Sequence, residues 1–328
     1  MSNLLHSFPM TTVTRFILIV GGIVAAMALG YLLRKKDRLD EKHAGPLMFY
    51  SVIFGWTPVS TAVLWTLPLE WSLITLPLIG MVIPIVLAPF GWLFAKFHQL
   101  DRSTAGTFIV TSGIANIGFT MGGFVCYCLF GMEGLGYANL FAASWAIPYV
   151  GFYYPLARSF GDPDSTLDIR FLLRTFFDLR SLPVLGTVAG VILNLAKVPM
   201  PAFLTTFHMI DLLIILSILI SFGIVGLQLH LSHLARQKIL HFSLAVVKFV
   251  ITPLLTVPIL ILAEYFLGQL PVCARKVVYI QAFMPTAIFS VIIANLFHLD
   301  PRLAGVLFLV NTGIFLGIVL PIIAVFLG

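Results

Sequence analysis

Ser112-Gly113-Ile114-Ala115-Asn116-Ile117-Gly118-Phe119 and Gln281-Ala282-Phe283-Met284-Pro285-Thr286-Ala287 are the two stretches that decide the fold of this chain. Each is polar and broken by Gly or Pro. They interrupt long apolar runs near the start of the fourth and of the ninth such run. In a bilayer, backbone N–H and C=O groups go unpaired only where protein, water or a ligand satisfies them. Breaks at matching places in two halves of a membrane protein therefore point to a midplane binding site between repeats.

The surrounding composition supports a membrane setting. Of 328 residues, 60% are hydrophobic and 10% charged, against about a quarter charged in soluble domains, and the mean hydropathy is +1.06. At about 20 residues per crossing, the apolar runs fit about ten crossings, roughly 14 to 33, 46 to 67, 72 to 96, 104 to 128, 136 to 157, 182 to 196, 209 to 230, 240 to 267, 274 to 297 and 303 to 327. The short connections leave no room for a separate soluble domain. The first run is too long for a signal-peptide core and lacks a basic start, so a retained helix is expected. The net charge of +6 requires no nucleic acid.

Basic residues orient the chain, because positively charged loops stay in the cytoplasm. The odd-numbered connections hold fourteen: Arg34, Lys35, Lys36, Arg38 and Lys42; Lys96 and Arg102; Arg158, Arg170, Arg174 and Arg180; Arg236 and Lys238; and Arg302. The even-numbered connections hold only Lys197, Arg275 and Lys276. Both termini are expected outside. Ten crossings with both ends on one face divide into five and five, and the second five then enter the membrane inverted. Ser159-Phe160-Gly161-Asp162-Pro163-Asp164-Ser165-Thr166 is the expected hinge, giving repeats over 1–165 and 166–328.

From Thr104 to Ala115 and from Ala274 to Pro285 the chain advances eleven residues each, about 16 Å as helix and about half of a ~30 Å hydrocarbon core. Both breaks then fall near the midplane, one helix arriving from each face. Their crossing brings two half-helix N-termini, with unpaired N–H groups and partial positive charge, toward one point.

Asn116, Thr286, Ser112 and Gln281 are neutral donors and acceptors suited to hydrogen bonding a substrate; the same residue types also serve to satisfy freed backbone in broken helices. Gly113, Ala115, Gly118 and Pro285 shape the crossing. Pro285 is expected at the first position of a half-helix, where its missing N–H costs nothing; Pro58, Pro84, Pro253, Pro258 and Pro321 read as ordinary kinks. No carboxylate falls clearly at a midplane. Asp211 and Glu264 sit near outer ends of runs, where water makes them inexpensive, which tilts the substrate toward an anion or a neutral molecule. Lys248 is the one charge well inside a run, and its stem has length to snorkel. Cys126, Cys128 and Cys273 read as small buried apolar residues, with a disulfide conceivable in an oxidising compartment. Neither a metal-ligand spacing among the eight histidines nor a phosphate loop, zinc helix or nucleophile elbow is present. No cofactor, metal or enzymatic activity is expected.

With these features in place, the chain resembles the auxin efflux carrier family of transporters, found in plants and widely in bacteria. The likeness spans nearly its whole length. It rests on Gly30-Tyr31-Leu32-Leu33-Arg34-Lys35 with Leu39-Asp40-Glu41; on Asn116-Ile117-Gly118-Phe119 with Gly131-Met132-Glu133-Gly134-Leu135; and on Pro285-Thr286-Ala287 with Ala294 and Asp300-Pro301. Lys248 with Pro253 is similar to a basic residue and proline shared by the family. Plant members carry Leu-Pro-Asn-Thr at the fourth-helix crossing, where this chain has Ile114-Ala115-Asn116-Ile117, so its break must rest on Gly113 and Gly118. The resemblance implies an all-α membrane protein: ten transmembrane helices in two inverted five-helix repeats, with broken helices 4 and 9 crossed in a sodium/bile acid symporter-like fold. It also implies a homodimer scaffold from runs 1, 2, 6 and 7, a moving bundle from runs 3–5 and 8–10, and elevator-like export of a small organic anion across a bacterial inner membrane. Membrane lipid is the surrounding partner. A sodium-coupled organic-anion symporter of the bile acid type, and a channel or receptor, stand as alternatives.

Overall fold

The computed structural model describes residues 12–161, 182–227 and 237–327. The Asp162–Thr166 part of the expected hinge, the repeat boundary, and Arg170, Arg174, Arg180 and Arg236 lie outside the described residues. Within them the chain is helical, with only an isolated antiparallel bridge between Ala115 and Thr286 for strand pairing.

In chain order the helices are α1 (Thr12–Lys35), α2 (Ala44–Ser51), α3 (Thr57–Thr66), α4 (Thr75–Phe97), α5 (Arg102–Gly113), α6 (Met121–Ala142), α7 (Tyr154–Phe160), α8 (Leu182–Leu195), α9 (Ala202–Thr206) and α10 (Met209–Leu227). They continue as α11 (Lys238–Val246), α12 (Thr252–Leu267), α13 (Val272–Ala282), α14 (Phe289–Leu296), α15 (Pro301–Ile314) and α16 (Leu320–Phe326). Among the described residues, six helical runs are long and apolar enough to cross a membrane: Ala44–Thr66, Trp71–Phe97, Met121–Phe160, Met209–Leu227, Lys238–Leu267 and Pro301–Phe326. This is an all-α, membrane-embedded architecture. Large apolar side chains such as Phe54, Leu185, Ile192, Phe266 and Phe326 stay exposed on its flanks, as lipid contact allows.

Several of these long runs contain a π-helical turn, and each such turn has the same cause. The π segments Val52–Trp56, Ile147–Tyr153, Val247–Ile251 and Phe315–Val319 each lead straight into a helix whose second residue is proline: Pro58, Pro155, Pro253 and Pro321. A proline ring clashes with the carbonyl one turn back and offers it no N–H; a wider turn absorbs both defects without breaking the helix. The Thr57 and Thr252 hydroxyls then bond the Val52 and Val247 carbonyls, each at 2.8 Å. Pro58, Pro253 and Pro321 are therefore π turns rather than the ordinary kinks expected, whereas Pro84 and Pro258 lie inside continuous helix.

The packing divides into two apolar clusters. One gathers α1, α3, α6, α10 and α13 around residues such as Trp56, Leu64, Tyr127 and Val277. The other gathers α5, α11, α14 and α15 around Phe108, Leu244, Ile293 and Leu307. In the first, α3 and α8 touch closely because Gly186 and Gly190 face the Thr57 and Thr61 carbonyls, where a Cβ would come to 2.6 and 2.4 Å. The clusters meet at the two breaks: Ile114 and Ala287 belong to one, Met121 and Met284 to the other.

Candidate functional site

Both predicted interruptions are real breaks, and they are paired with each other. Helix α5 has 12 residues and α13 has 11. Asp101 caps α5 by accepting the Thr104 N–H at 3.1 Å, and hydrogen bonds from the Thr104 side chain and backbone hold its carboxyl below the ordinary 3.8. At the inner end of α5, Ile114 turns extended, with φ −86° and ψ 125°. Across the gap the Asn116 N–H donates to the Pro285 carbonyl at 2.8 Å, and the Ala287 N–H donates to the Ile114 carbonyl at 3.3 Å. Ala115 and Thr286 thus face each other in a two-residue antiparallel ladder. Backbone that both helices leave unpaired is satisfied by the opposite break, as a low-dielectric interior requires.

The first break rests on glycine, as expected. Gly118 has φ +53°, a region costly to residues with a Cβ, and a Cβ there would lie 2.0 Å from that of Ala142. At Gly113 a Cβ would fall 1.5 Å from the Tyr153 hydroxyl, which is itself donated to the Pro84 carbonyl at 2.6 Å. Ala115 is held by Tyr149, whose hydroxyl accepts the Ala115 N–H and donates to the Ala115 carbonyl, both at 3.0 Å. Gly131, with φ 70° and ψ −150°, breaks α6 again, so the fourth and fifth apolar runs join through it rather than through a loop.

Pro285 is not at the first position of a half-helix. Helix α14 begins at Phe289, and Pro285 lies in the non-helical segment before it. The reason is local: a proline pushes the preceding residue, here Met284, out of the α region, so it terminates α13. The following Thr286 then pairs with Ala115 before α14 starts.

The four proposed substrate contacts have different surroundings. Gln281 is engaged twice within the protein, its Oε1 accepting the Gly118 N–H at 3.0 Å and its Nε2 donating to Cys126 Sγ at 3.3 Å. The Asn116 Oδ1 accepts the Thr120 hydroxyl, while the Asn116 carbonyl accepts the Gly122 N–H at 2.9 Å. Ser112 faces α4, where a Cβ on Gly91 would approach its Oγ to 3.3 Å. Thr286, fully buried, donates its hydroxyl to the Ile114 carbonyl at 3.1 Å, and its N–H goes to Asn311 Oδ1 at 2.9 Å.

Lys248 completes this arrangement. Instead of snorkelling to an interface it is 0% exposed, and its Nζ donates to the Ile114 carbonyl at 3.0 Å. It sits on the π turn Val247–Ile251. No carboxylate makes an ion pair with it among the described residues. The sequence signalled it by its isolation in an apolar run and by its pairing with Pro253. Asn311, inside the last run, and Tyr149 gave none that distinguished them from packing residues. Phe289 at the head of α14 is walled by Trp145, Tyr149 and Tyr154, with ring centroids 5.5 to 6.3 Å away.

The two carboxylates expected near the ends of runs lie there and are engaged by neighbouring side chains. Asp211 is 5% exposed; it accepts the Tyr127 hydroxyl at 2.6 Å and lies 3.1 Å from His208 Nδ1. Glu264 accepts from Arg275 Nε and the Leu270 N–H, both at 3.0 Å. Cys126, Cys128 and Cys273 are free thiols.

Compared with protein-family models and with curated proteins, the chain matches none.

Proposed function

We propose that this protein is a carrier of the auxin efflux carrier type that exports a small organic anion by elevator-like alternating access. In this reading ten helices form two inverted five-helix repeats, Asn116, Thr286 and Lys248 face the transported molecule, and the chain works as a homodimer in a bacterial inner membrane with both termini outside. The two breaks, each bonded to the other, support a crossing. Proline spacing supports the repeat: Pro84 and Pro89 in one half and Pro253 and Pro258 in the other are both five residues apart.

The observation that carries the reading is Lys248. A fully buried amine on the crossing with no carboxylate partner among the described residues is costly to keep charged, by several kcal/mol, and a bound anion offsets that cost. The same contact weighs against a sodium-coupled symporter, because the break carbonyl of Ile114 that a Na⁺ ion would take already receives the Lys248 Nζ.

The test is counterflow in proteoliposomes preloaded with succinate, acetate or indole-3-acetate. Wild type is expected to show saturable counterflow of at least one acid, unchanged when choline replaces Na⁺. Lys248→Met should lower it at least about tenfold, ~1.4 kcal/mol, with membrane insertion intact. Absence of counterflow with all three acids, or flux that does not saturate, overturns the carrier reading.

A further inference from the structure

We infer that Asn311 is an anion-contacting residue of this crossing, presenting its amide N–H groups to the carboxylate of the transported acid; the inference rests on the carrier reading above.

It begins with amide chemistry. Asn311 lies on the apolar helix α15 with 2% exposure. A side-chain amide has one oxygen and one NH₂, and neighbouring donors and acceptors decide which is which. Here the neighbour is the Thr286 N–H, 2.9 Å away. Because an N–H needs an acceptor, the oxygen must face Thr286 and the NH₂ must face the other way. That orientation leaves Nδ2 buried without a protein partner, a state that costs about 1–3 kcal/mol.

The adjacent Thr312 hydroxyl is also buried without a partner, but it differs in kind. A helical threonine relieves itself by rotating onto the carbonyl one turn back. Asn311 has no such escape, since turning its amide would abandon Thr286. The donor is thus fixed in place by the break itself.

The chemistry of the missing acceptor follows from what adjoins it. Thr286 bonds the Ile114 carbonyl, and the Lys248 Nζ bonds the same oxygen. A lysine has three N–H donors and this one gives a single hydrogen bond within the protein. Donors without acceptors and an amine without a counter-charge, linked through two residues, match a carboxylate. The inference places the acid group on the α15 side of the crossing, a position the sequence did not mark.

Asn311→Asp separates this role from a structural one. The aspartate keeps an oxygen for the Thr286 N–H while replacing the donors by a second acceptor and a negative charge. Ligand-induced thermal stabilisation and counterflow are read with succinate, acetate and indole-3-acetate. The expected result is a variant that still inserts and folds, with at least a tenfold rise in the acid concentration giving half-maximal counterflow. Should Asn311→Asp fail to insert, Asn311→Leu, which also lacks the donors, is read for loss of the ligand-induced shift. A wild type that responds to an acid while either variant responds equally overturns this inference alone. A wild type that responds to none of the acids overturns the carrier reading and this inference with it.

Discussion

Between Gly113 and Met121 the chain is extended by glycine and held by tyrosine; between Ala282 and Phe289 it is extended by proline and held by asparagine. Both segments end a helix in non-helical backbone, α5 through an extended Ile114 and α13 through a turn at Phe283, and they share a bridge. The difference lies in where the constraint is stored. Gly118 adopts a left-handed φ that a side chain resists, and a methyl group there would also strike Ala142. Pro285 occupies backbone that any residue adopts, and stiffens it. One break depends on space that must stay empty, and the other on a ring that narrows the choices of its predecessor.

The comparison predicts unequal sensitivity. Gly118→Ala should lower stability on the order of 3 kcal/mol, combining overpacking with backbone strain, while Pro285→Ala should cost about 1 kcal/mol or less. Thermal unfolding in detergent compares the two directly; equal losses would break the asymmetry. Next in size is Tyr149→Phe, which strips both polar groups of Ala115 of their partner and should cost about 1–3 kcal/mol. The second break has no tyrosine in this role, so the loss should show as faster hydrogen exchange at Ala115 than at Thr286. Protection that falls equally at both would mean that the ladder, not the tyrosine, holds the first break.

The smallest effect concerns how each broken helix begins. Asp101 caps α5 with its side chain, whereas α13 starts at Val272 after Pro271, which makes no side-chain bond. Asp101→Ala should cost about 1 kcal/mol at neutral pH. Because folding lowers the pKa of this carboxyl below 3.8, its contribution is complete above that value and disappears as pH falls through the lower folded one. The stability gap between wild type and Asp101→Ala should therefore close on acidification well below pH 3.8. A gap that persists there assigns the effect to packing rather than to the cap.

Much of this was readable in the chain. Gly113, Gly118, Asn116 and Pro285 cluster where apolar runs ought to continue, and such clusters in membranes have few explanations. The exact place of Pro285 was not readable, because proline suits both the start of a helix and the end of an extended stretch. Its pairing partner 170 or so residues away decides, and sequence patterns carry no such distance. Lys248 was visible as an isolated charge, but its destination depends on a π turn that a downstream proline creates. Asn311 shows the limit most plainly: an asparagine in an apolar helix reads the same whether it bonds a neighbouring helix or a bound molecule.

The Ile114 carbonyl accepts from Lys248 Nζ, the Thr286 hydroxyl and the Ala287 N–H, at 3.0, 3.1 and 3.3 Å. A carbonyl oxygen has two lone pairs, so three donors crowd it, and each draws electron density out of the C=O bond. Its stretching vibration must lie well to the red of an ordinary helical amide. An isotope label at this one oxygen would turn the crossing into its own infrared reporter, shifting to the blue whenever Lys248 leaves it for another acceptor.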